Sequence, residues 1–417
     1  MDREKITGEI TIQEGAGSIE ELKTKLPEKA QEDMTAFLGF LLGSAIRLDA
    51  SDVHTEPTKE NVKIRLRIDG LLEDVAQIPL ALYTTLLSRV KLVAGVKLNV
   101  SDWPQDGRFS LLSAQSVPIE VRAATLPSEY GESVVLRILN PKNLITLKEL
   151  GLRKDLQELF EKEIKKPNGM IIVTGPTGSG KTTTLYAFLN EVKNPSLKII
   201  TIEDPIEYHL EGISQTQTNP AKGYGFASGL RAIVRQDPDV VLVGEIRDGE
   251  TADIALQAAL TGHLVFSTLH TNDAAGTISR LTSLGTQLPT VASALTLIIA
   301  QRLLRKVCTH CVQFVEPNAE QTKKIKEAKL PAKKDFKLPS ARGCQKCNLK
   351  GYKGRVGIFE AIQIDDTMEE FILSGPSTSA LKNFAVKKGM LTMYQDGLLK
   401  VLEGTTTMEE IERVTRE

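Results

Sequence analysis

Residues 175–183 read Gly175, Pro176, Thr177, Gly178, Ser179, Gly180, Lys181, Thr182 and Thr183, which fits G-x-x-x-x-G-K-[ST] with the two outer glycines, Lys181 and Thr182 at the fixed positions. Such a loop turns backbone N–H groups inward above a helix N-terminus and so forms an anion cradle. Lys181 is expected to reach the β- and γ-phosphates of a nucleoside triphosphate, and the Thr182 hydroxyl to ligate Mg²⁺. A chance glycine-rich turn is the alternative. The apolar run Met170–Val173 before the loop, a buried strand by pattern, and the helical pattern of Thr183–Val192 after it favour the cradle.

Hydrolysis also needs a group to orient or deprotonate the attacking water. Glu203 and Glu207 follow an apolar strand in Thr201-Ile-Glu-Asp-Pro-Ile-Glu207, and either could do so. Glu245 follows Val240–Val243 and Gly244, the way a Walker B element presents its acid to Mg²⁺, directly or through a bound water. Taken alone, such acids are more often surface charges; placed after successive strands of a P-loop sheet they are candidates for chemistry. His263 and His270 flank another apolar strand. Each could hydrogen-bond locally or report whether the γ-phosphate is present, and the second reading is preferred beside a P-loop. Arg122, Arg137, Arg231 and Arg235 are candidates for stabilising charge on the transferring phosphoryl group. Most arginines, however, are surface or ion-pair residues.

The four cysteines form two C-x-x-C pairs, Cys308/Cys311 and Cys344/Cys347. Two such turns can complete a tetrahedral Cys₄ zinc site, and four protein ligands leave no open position, so the metal is expected to be structural. Disulfides are the alternative, disfavoured in a reducing cytosol. His310, inside the first pair, is expected to be a bystander, though it could replace a cysteine as ligand.

These groups need a scaffold. Residues 1–32 are charged and read as an irregular tail. Asp33–Leu48 and Leu80–Val96 have helical patterns, Val62–Ile68 alternates with period two, and short strands are expected at Arg108–Leu112, Pro118–Ala123 and Ser133–Leu139. Together they suggest a small α+β domain over 33–139, then a linker at 140–150. From 151 to 304 strands alternate with helices, which predicts an α/β core: a mostly parallel sheet with ligands at the strand carboxyl ends. A zinc-binding subdomain is expected over 305–357 and a mainly helical C-terminal part over 358–417. Lys323–Lys337, rich in lysine, reads as a solvated loop, with an anionic lipid or acidic partner as the minority reading.

Composition bounds the whole. A chain of 417 residues with net charge −1 suggests two or three domains and no overall field toward nucleic acid or an anionic membrane. The apolar stretches Met34–Ile46 and Val291–Ala300 fall short of the ~20 residues that span a bilayer. No signal-peptide apolar core follows the N-terminus. A cytoplasmic protein is therefore expected.

Thr201–Tyr208 (TIEDPIEY), Leu230–Asp248 (LRAIVRQDPDVVLVGEIRD), Thr261–Asp273 (TGHLVFSTLHTND) and Ala300–Cys308 (AQRLLRKVC) resemble the secretion-superfamily ATPases of type II secretion and type IV pilus assembly. The first three match that family's Asp box, Walker B motif and His box. Upstream, Ser51–Pro57, Arg65–Gly70 and Pro104–Arg108 resemble its PAS-like second N-terminal domain. The resemblance implies a RecA-like ATPase domain and makes Glu207 the general base, Glu245 the Walker B acid, and the four arginines neighbours of the phosphates. It also implies a homohexamer working with an inner-membrane platform protein, membrane-associated through partners and not spanning. The cofactors it implies are ATP, Mg²⁺ and structural Zn²⁺. The paired cysteines resemble the assembly and secretion branch, since the retraction ATPases lack the metal subdomain.

The chain departs from the family pattern at Asp102-Trp103, where a basic pair is usual, and at Gly225, where threonine is usual. About 30 residues precede the helix at Asp33, so the further N-terminal domain of longer relatives is expected to be missing. A DNA-uptake pseudopilus ATPase is the alternative within the motor class, and a zinc-containing nucleic-acid translocase is the alternative outside it. Balanced charge and 5% aromatic residues argue against nucleic acid. An inactive ATP-binding scaffold is opposed by the presence of Lys181, Thr182, Glu207 and Glu245 together.

Overall fold

Where apolar residues alternate, the chain builds one kind of sheet; where they run continuously, it builds another. The computed structural model describes residues 8–29, 33–113, 116–330 and 336–415. These fall into two compact units, the first comprising 1–143 with 308–311 and 342–354, the second 144–307 with 312–341 and 355–417.

The first unit contains β1 (Glu9–Thr11), α1 (Ile19–Lys29), α2 (Met34–Arg47), β2 (Ala50–Pro57), β3 (Asn61–Ile68), β4 (Leu71–Pro79), α3 (Leu80–Ala94), β5 (Gln105–Ser113), β6 (Ser116–Ser128) and β7 (Gly131–Leu139). Its sheet has the order β1-β5-β6-β7-β2-β3-β4. Only β1 runs parallel to its neighbour, β5. In β3 the buried side chains are Val62, Ile64, Leu66 and Ile68, while Lys63, Arg65 and Arg67 take the other face. That period of two gives a sheet with one apolar side. The apolar side shares a core with α1, α2 and α3. Asp33 caps α2 by accepting from the Ala36 amide at 3.1 Å.

The expected irregular tail is a correction. Residues 9–11 add a strand and 19–29 form a helix. Ile19, Leu22 and Leu26 are buried at helical spacing, and the charged residues between them concealed that stripe. The Ala16 amide donates to Ser44 Oγ at 2.9 Å, tying this segment to α2. Residues 1–7 and 30–32 of the expected tail lie outside the described residues.

The second unit contains α4 (Lys154–Glu163), β8 (Gly169–Thr174), α5 (Lys181–Val192), β9 (Ile199–Glu203), β10 (Ser214–Gln217), α6 (Phe226–Val234), β11 (Val240–Val243), α7 (Gly249–Leu260), β12 (Leu264–Leu269), α8 (Gly276–Ser283), α9 (Leu288–Ala294) and β13 (Leu295–Val307). Then come β14 (Gln313–Val315), α10 (Ala319–Glu327), β15 (Leu338–Ser340), β16 (Tyr352–Gln363, which begins within the first unit), α11 (Asp366–Leu373), α12 (Thr378–Lys387), α13 (Met393–Leu402) and α14 (Met408–Thr415). The large sheet is ordered β10-β9-β11-β12-β8-β13-β16. From β10 to β13 every pairing is parallel. β8, β9, β11 and β12 are buried along their whole length, as strands covered on both faces must be. Separate apolar clusters pack on the two sides.

Three boundaries differ from expectation. The expected linker ends inside this unit's core, because Leu147 and Leu150 are buried with Phe160 and Phe188. The segment expected to be helical from 358 opens with β16, which runs on to Gln363 before four helices follow. The expected zinc subdomain is divided, with both cysteine pairs grouped in the first unit and the intervening 312–341 in the second. Within that intervening stretch Lys324 pairs with Glu320 at 2.7 Å and Glu412 at 2.6 Å, while 331–335 lie outside the described residues. Among the described residues no helix is long and apolar enough to cross a membrane.

Candidate functional site

The carboxyl ends of β8, β9, β11 and β12 all open on one edge of the parallel sheet. The loop 175–180 leaves β8 there and enters α5 at Lys181. Gly175 has φ +148° and Gly180 φ +90°. A Cβ at Gly175 would stand 2.5 Å from the Gln301 carbonyl oxygen, and one at Gly180 2.8 Å from Gln301 Nε2. Both glycines are therefore required by conformation and by the wall that β13 presents. Lys181 Nζ donates to its own loop, to the Gly175 carbonyl at 2.8 Å and the Pro176 carbonyl at 3.2 Å. The Ser179 hydroxyl is buried with no hydrogen-bond partner among the described residues. A lysine held by loop carbonyls and an orphaned hydroxyl in a glycine cradle fit a phosphate-bearing ligand. Thr182 is exposed on the first turn of α5, with Thr183 half-buried beside it.

Around the cradle, Glu245 follows β11 and His270 follows β12, with His270 Nε2 3.7 Å from Glu245 Oε2. Arg247 Nη2 lies 2.5 Å from Glu245 Oε1 and Nη1 lies 3.8 Å from Asp204 Oδ2. Burial lowers the pKa of Lys181, opposed by Glu245 and reinforced by Arg302. Burial also holds the His270 ring below its ordinary value, with Lys181 adding to the effect and Glu245 opposing it. Lys181, Glu245 and His270 thus share one electrostatic environment. Thr174 locks the edge together, donating to the Leu269 carbonyl at 3.0 Å and lying 2.7 Å from Thr271 Oγ1.

Not every sequence candidate gathers here. His263 sits at the amino end of β12, the end opposite His270, and its Nδ1 is 3.0 Å from the Ala258 carbonyl oxygen. Its ring serves the junction between α7 and β12. The two histidines that flank this run therefore stand at opposite ends of one strand. Glu203 is buried, and both its oxygens are taken: Oε2 accepts from the Tyr186 hydroxyl, and Oε1 from Thr201 Oγ1 at 2.5 Å and Gln215 Nε2 at 3.2 Å. So engaged, it is a buried acceptor and not an acid free to act on water. Glu207 is half-buried on the turn after β9. Arg231 pairs with Glu250 across α6 and α7, and Arg235 is exposed at the end of α6.

Within the first unit, Arg122 and Arg137 belong to a line across the sheet. Cross-strand register aligns Arg67 with Asp52, Asp52 with Arg137, Arg137 with Arg122, and Arg122 with Arg108. Buried Asp52 accepts from Arg137 Nε at 2.9 Å and lies 3.5 Å from Arg67 Nε, while Arg122 Nε is 3.8 Å from Glu120. Directly opposed like charges repel, and the buried Asp52 carboxylate between Arg67 and Arg137 offsets that repulsion.

Sequence reasoning missed Arg302, Arg247, Gln301 and Tyr186. Arg302 Nη1 would lie 3.2 Å from a Cβ on Gly175, and Arg302 Nη2 donates to the Asn272 carbonyl at 2.9 Å. Arg302 lies within the quoted stretch AQRLLRKVC, but only the adjacency of β13 to β8 reveals what it faces.

The four cysteines converge in the first unit, with all four Sγ atoms within 4.8 Å of one another. Cys308 Sγ is 3.9 Å from Cys344 Sγ, and Cys347 Sγ is 3.8 Å from both Cys311 Sγ and Cys344 Sγ. Tetrahedral zinc with Zn–S near 2.3 Å requires S···S of about 3.8 Å, so the thiols fit that ion. Burial opposes ionisation of Cys347, but N–H groups of Cys344 and Gly351 outweigh it and bring the thiol down to about 7. His310 is exposed and stands outside the cluster. The knuckles are tied to the first unit by the Gly354 amide on Asp69 Oδ2 at 3.0 Å, Lys350 on Glu73 at 2.9 Å, and the Ile19 amide on Asn348 Oδ1 at 3.1 Å.

A glycine cradle at the edge of a parallel sheet, with a lysine, an acid and a histidine from adjoining strands, defines a P-loop nucleoside-triphosphate hydrolase. The family model for Type II/IV secretion system protein matches residues 28–413, and the chain belongs to that family. Type II secretion system protein E of Dickeya dadantii is 48% identical over 378 residues, covering 90% of this chain and 74% of that protein. Type IV pilus assembly ATPase PilB of Thermus thermophilus is 42% identical over 393 residues, covering 93% of this chain and 44% of that one. The solved pilus retraction motor PilT with bound ADP has a TM-score of 0.61 at 28% identity, covering 89% of this chain and 95% of its own. The Legionella pneumophila ATPase DotB shares the fold at a TM-score of 0.66 and 22% identity, covering 90% and 94%. The chain is thus an ATPase of the secretion and pilus-assembly class.

Proposed function

We propose that this protein is a ring motor, a homohexamer that hydrolyses ATP to drive pilin or pseudopilin assembly in type II secretion or type IV pilus extension. It works in the cytoplasm against an inner-membrane platform protein and does not itself span the bilayer. The convergence of Lys181, Glu245 and His270 on one cradle is the observation that carries the hydrolytic part of this reading. Residues 175–183 hold the triphosphate, and Lys181 exchanges its loop carbonyls for phosphate oxygens. Glu207 takes the proton of the attacking water. His270, neutral because burial and Lys181 disfavour its charge, senses the γ-phosphate. The resemblance gives Arg122, Arg137, Arg231 and Arg235 the role of stabilising charge on the transferring group, although Arg231 is paired with Glu250 in this structure.

Thr182 and Glu245 would hold Mg²⁺, which when bound neutralises charge developing between the β- and γ-phosphates. The cysteine cluster is proposed to hold one zinc per chain in a structural role, as its thiol spacing supports.

Phosphate release measured for wild-type protein and Lys181→Ala tests the hydrolytic reading. Removing the lysine is expected to lower kcat at least about 100-fold, as losing one preorganised charge on a transition state does. Undiminished turnover by a folded Lys181→Ala protein contradicts the assignment.

A further inference from the structure

Tyr186 stands on α5 about one and a half turns beyond Lys181, with 1% of its surface exposed. No motif marks it. Its hydroxyl donates to Glu203 Oε2 and receives the backbone amides of Glu207 and Tyr208. Burial and the neighbouring carboxylate push this phenol far above its ordinary value, so it remains a donor at every working pH. Glu203 is itself fixed by Thr201 and Gln215. Gln215 also donates to the Tyr208 carbonyl at 3.0 Å and accepts from the Leu210 amide at 2.7 Å. The rings of Tyr186 and Tyr208 meet edge to face at 6.3 Å.

The segment these bonds hold, 204–210, lies between β9 and β10 and belongs to neither strand. It therefore has no strand ladder of its own, and side chains from α5 and β10, Tyr186 and Gln215, hold it. A hydroxyl offers one donor and two acceptor positions, and here the donor and the acceptor side are both used. The bond to a buried carboxylate is of the stronger, charge-assisted kind. This makes a short mechanical link: the helix that begins at the phosphate cradle grips the backbone of the turn carrying Glu207.

We propose that Tyr186 is a positioning residue for hydrolysis, fixing the Glu207 backbone relative to the P-loop helix with Glu203 as its buried acceptor. This inference rests on the reading of Glu207 as the general base. It also gives Glu203 a role: the acid is kept buried so that it can anchor a donor. Removing the hydroxyl takes a buried partner from Glu203 Oε2 and from the backbone of the turn, and the turn can shift in response. A shift of about 1 Å in a reacting group can cost on the order of 100-fold in rate. The cradle itself is untouched, so nucleotide affinity should hold.

The test is kcat and KM for ATP in Tyr186→Phe, Glu207→Gln and the double variant of the full chain, each with its melting temperature. Glu207→Gln is expected to lower kcat about 100-fold or more, the contribution of a positioned base. Tyr186→Phe is expected to lower kcat about tenfold while KM stays within about twofold. In the Glu207→Gln background Tyr186→Phe should cost nothing further, because a base that is absent cannot be misplaced. Thr201→Val, which removes a different donor from Glu203, should show the same split at smaller size, and it carries the test alone if Tyr186→Phe does not fold. Wild-type kcat in Tyr186→Phe beside an impaired Glu207→Gln overturns the positioning role alone, as does a full further loss in the double variant. Wild-type turnover by Glu207→Gln overturns instead the base assignment beneath it.

Discussion

The phosphate cradle and the cysteine cluster are both small constellations read from short motifs, yet they are finished to different degrees. The cysteine cluster is closed: four thiols already stand at the mutual spacing one tetrahedral ion demands. The cradle is open. Lys181 rests on loop carbonyls, the Ser179 hydroxyl is without a partner among the described residues, and Glu245 is held laterally by Arg247. A site that keeps its ligand can complete its geometry in advance. A site that turns over must hold its groups in provisional contacts that phosphate can displace, and those contacts recur after each cycle.

The sharpest way to break this contrast is to open the closed site. Cys344→Ser removes a ligand from a cluster tied to the β3–β4 turn, β4 and α1, so it should abolish metal retention and lower the melting temperature by about 10 °C. Elemental analysis should give about one zinc per chain in the wild type and none in the variant. An unchanged melting curve would mean that the cluster holds no structural ion.

A smaller effect belongs to the open site. His270 titrates below its ordinary value of 6.5 in the folded chain, chiefly through burial and then through Lys181. Above that ordinary value the ring is neutral in both folded and unfolded chains and costs nothing. As pH falls below it the unfolded chain takes up the proton first, so stability is lost through the folded value. Between pH 7 and 5.5 the wild type should therefore lose slightly more melting temperature than His270→Asn, by about 1 °C. Parallel acid slopes for the two proteins would remove the electrostatic coupling.

The smallest effect is expected at His263. His263→Ala at the far end of β12 should leave kcat and KM within about twofold of wild type, since it loses only a local bond to a backbone carbonyl. A large fall in kcat would restore it to the site.

Those two histidines show what a sequence carries and where it stops. Seven positions apart, they bracket one strand, and the strand itself was legible as an apolar run. An extended chain advances about 3.3 Å per residue, so residues at its two ends cannot share a site. Glu203 and Glu207 teach the same lesson at closer range. Their spacing does not reveal that one carboxylate is enclosed by Tyr186, Thr201 and Gln215, because those partners come from α5, β9 and β10. The cradle and the cysteines were legible because each is defined by residues close in sequence. Arg302, facing Gly175 from β13, and the α1 stripe hidden among charged residues were not, because strand adjacency and helix packing decide them.

A ring that hydrolyses ATP is tested most directly by Mg²⁺-dependent phosphate release per chain across a wide range of protein concentration, with particle mass recorded at each point. Specific activity should climb with the appearance of six-chain particles and then reach a plateau. Full specific activity from particles with the mass of a single chain would contradict the ring.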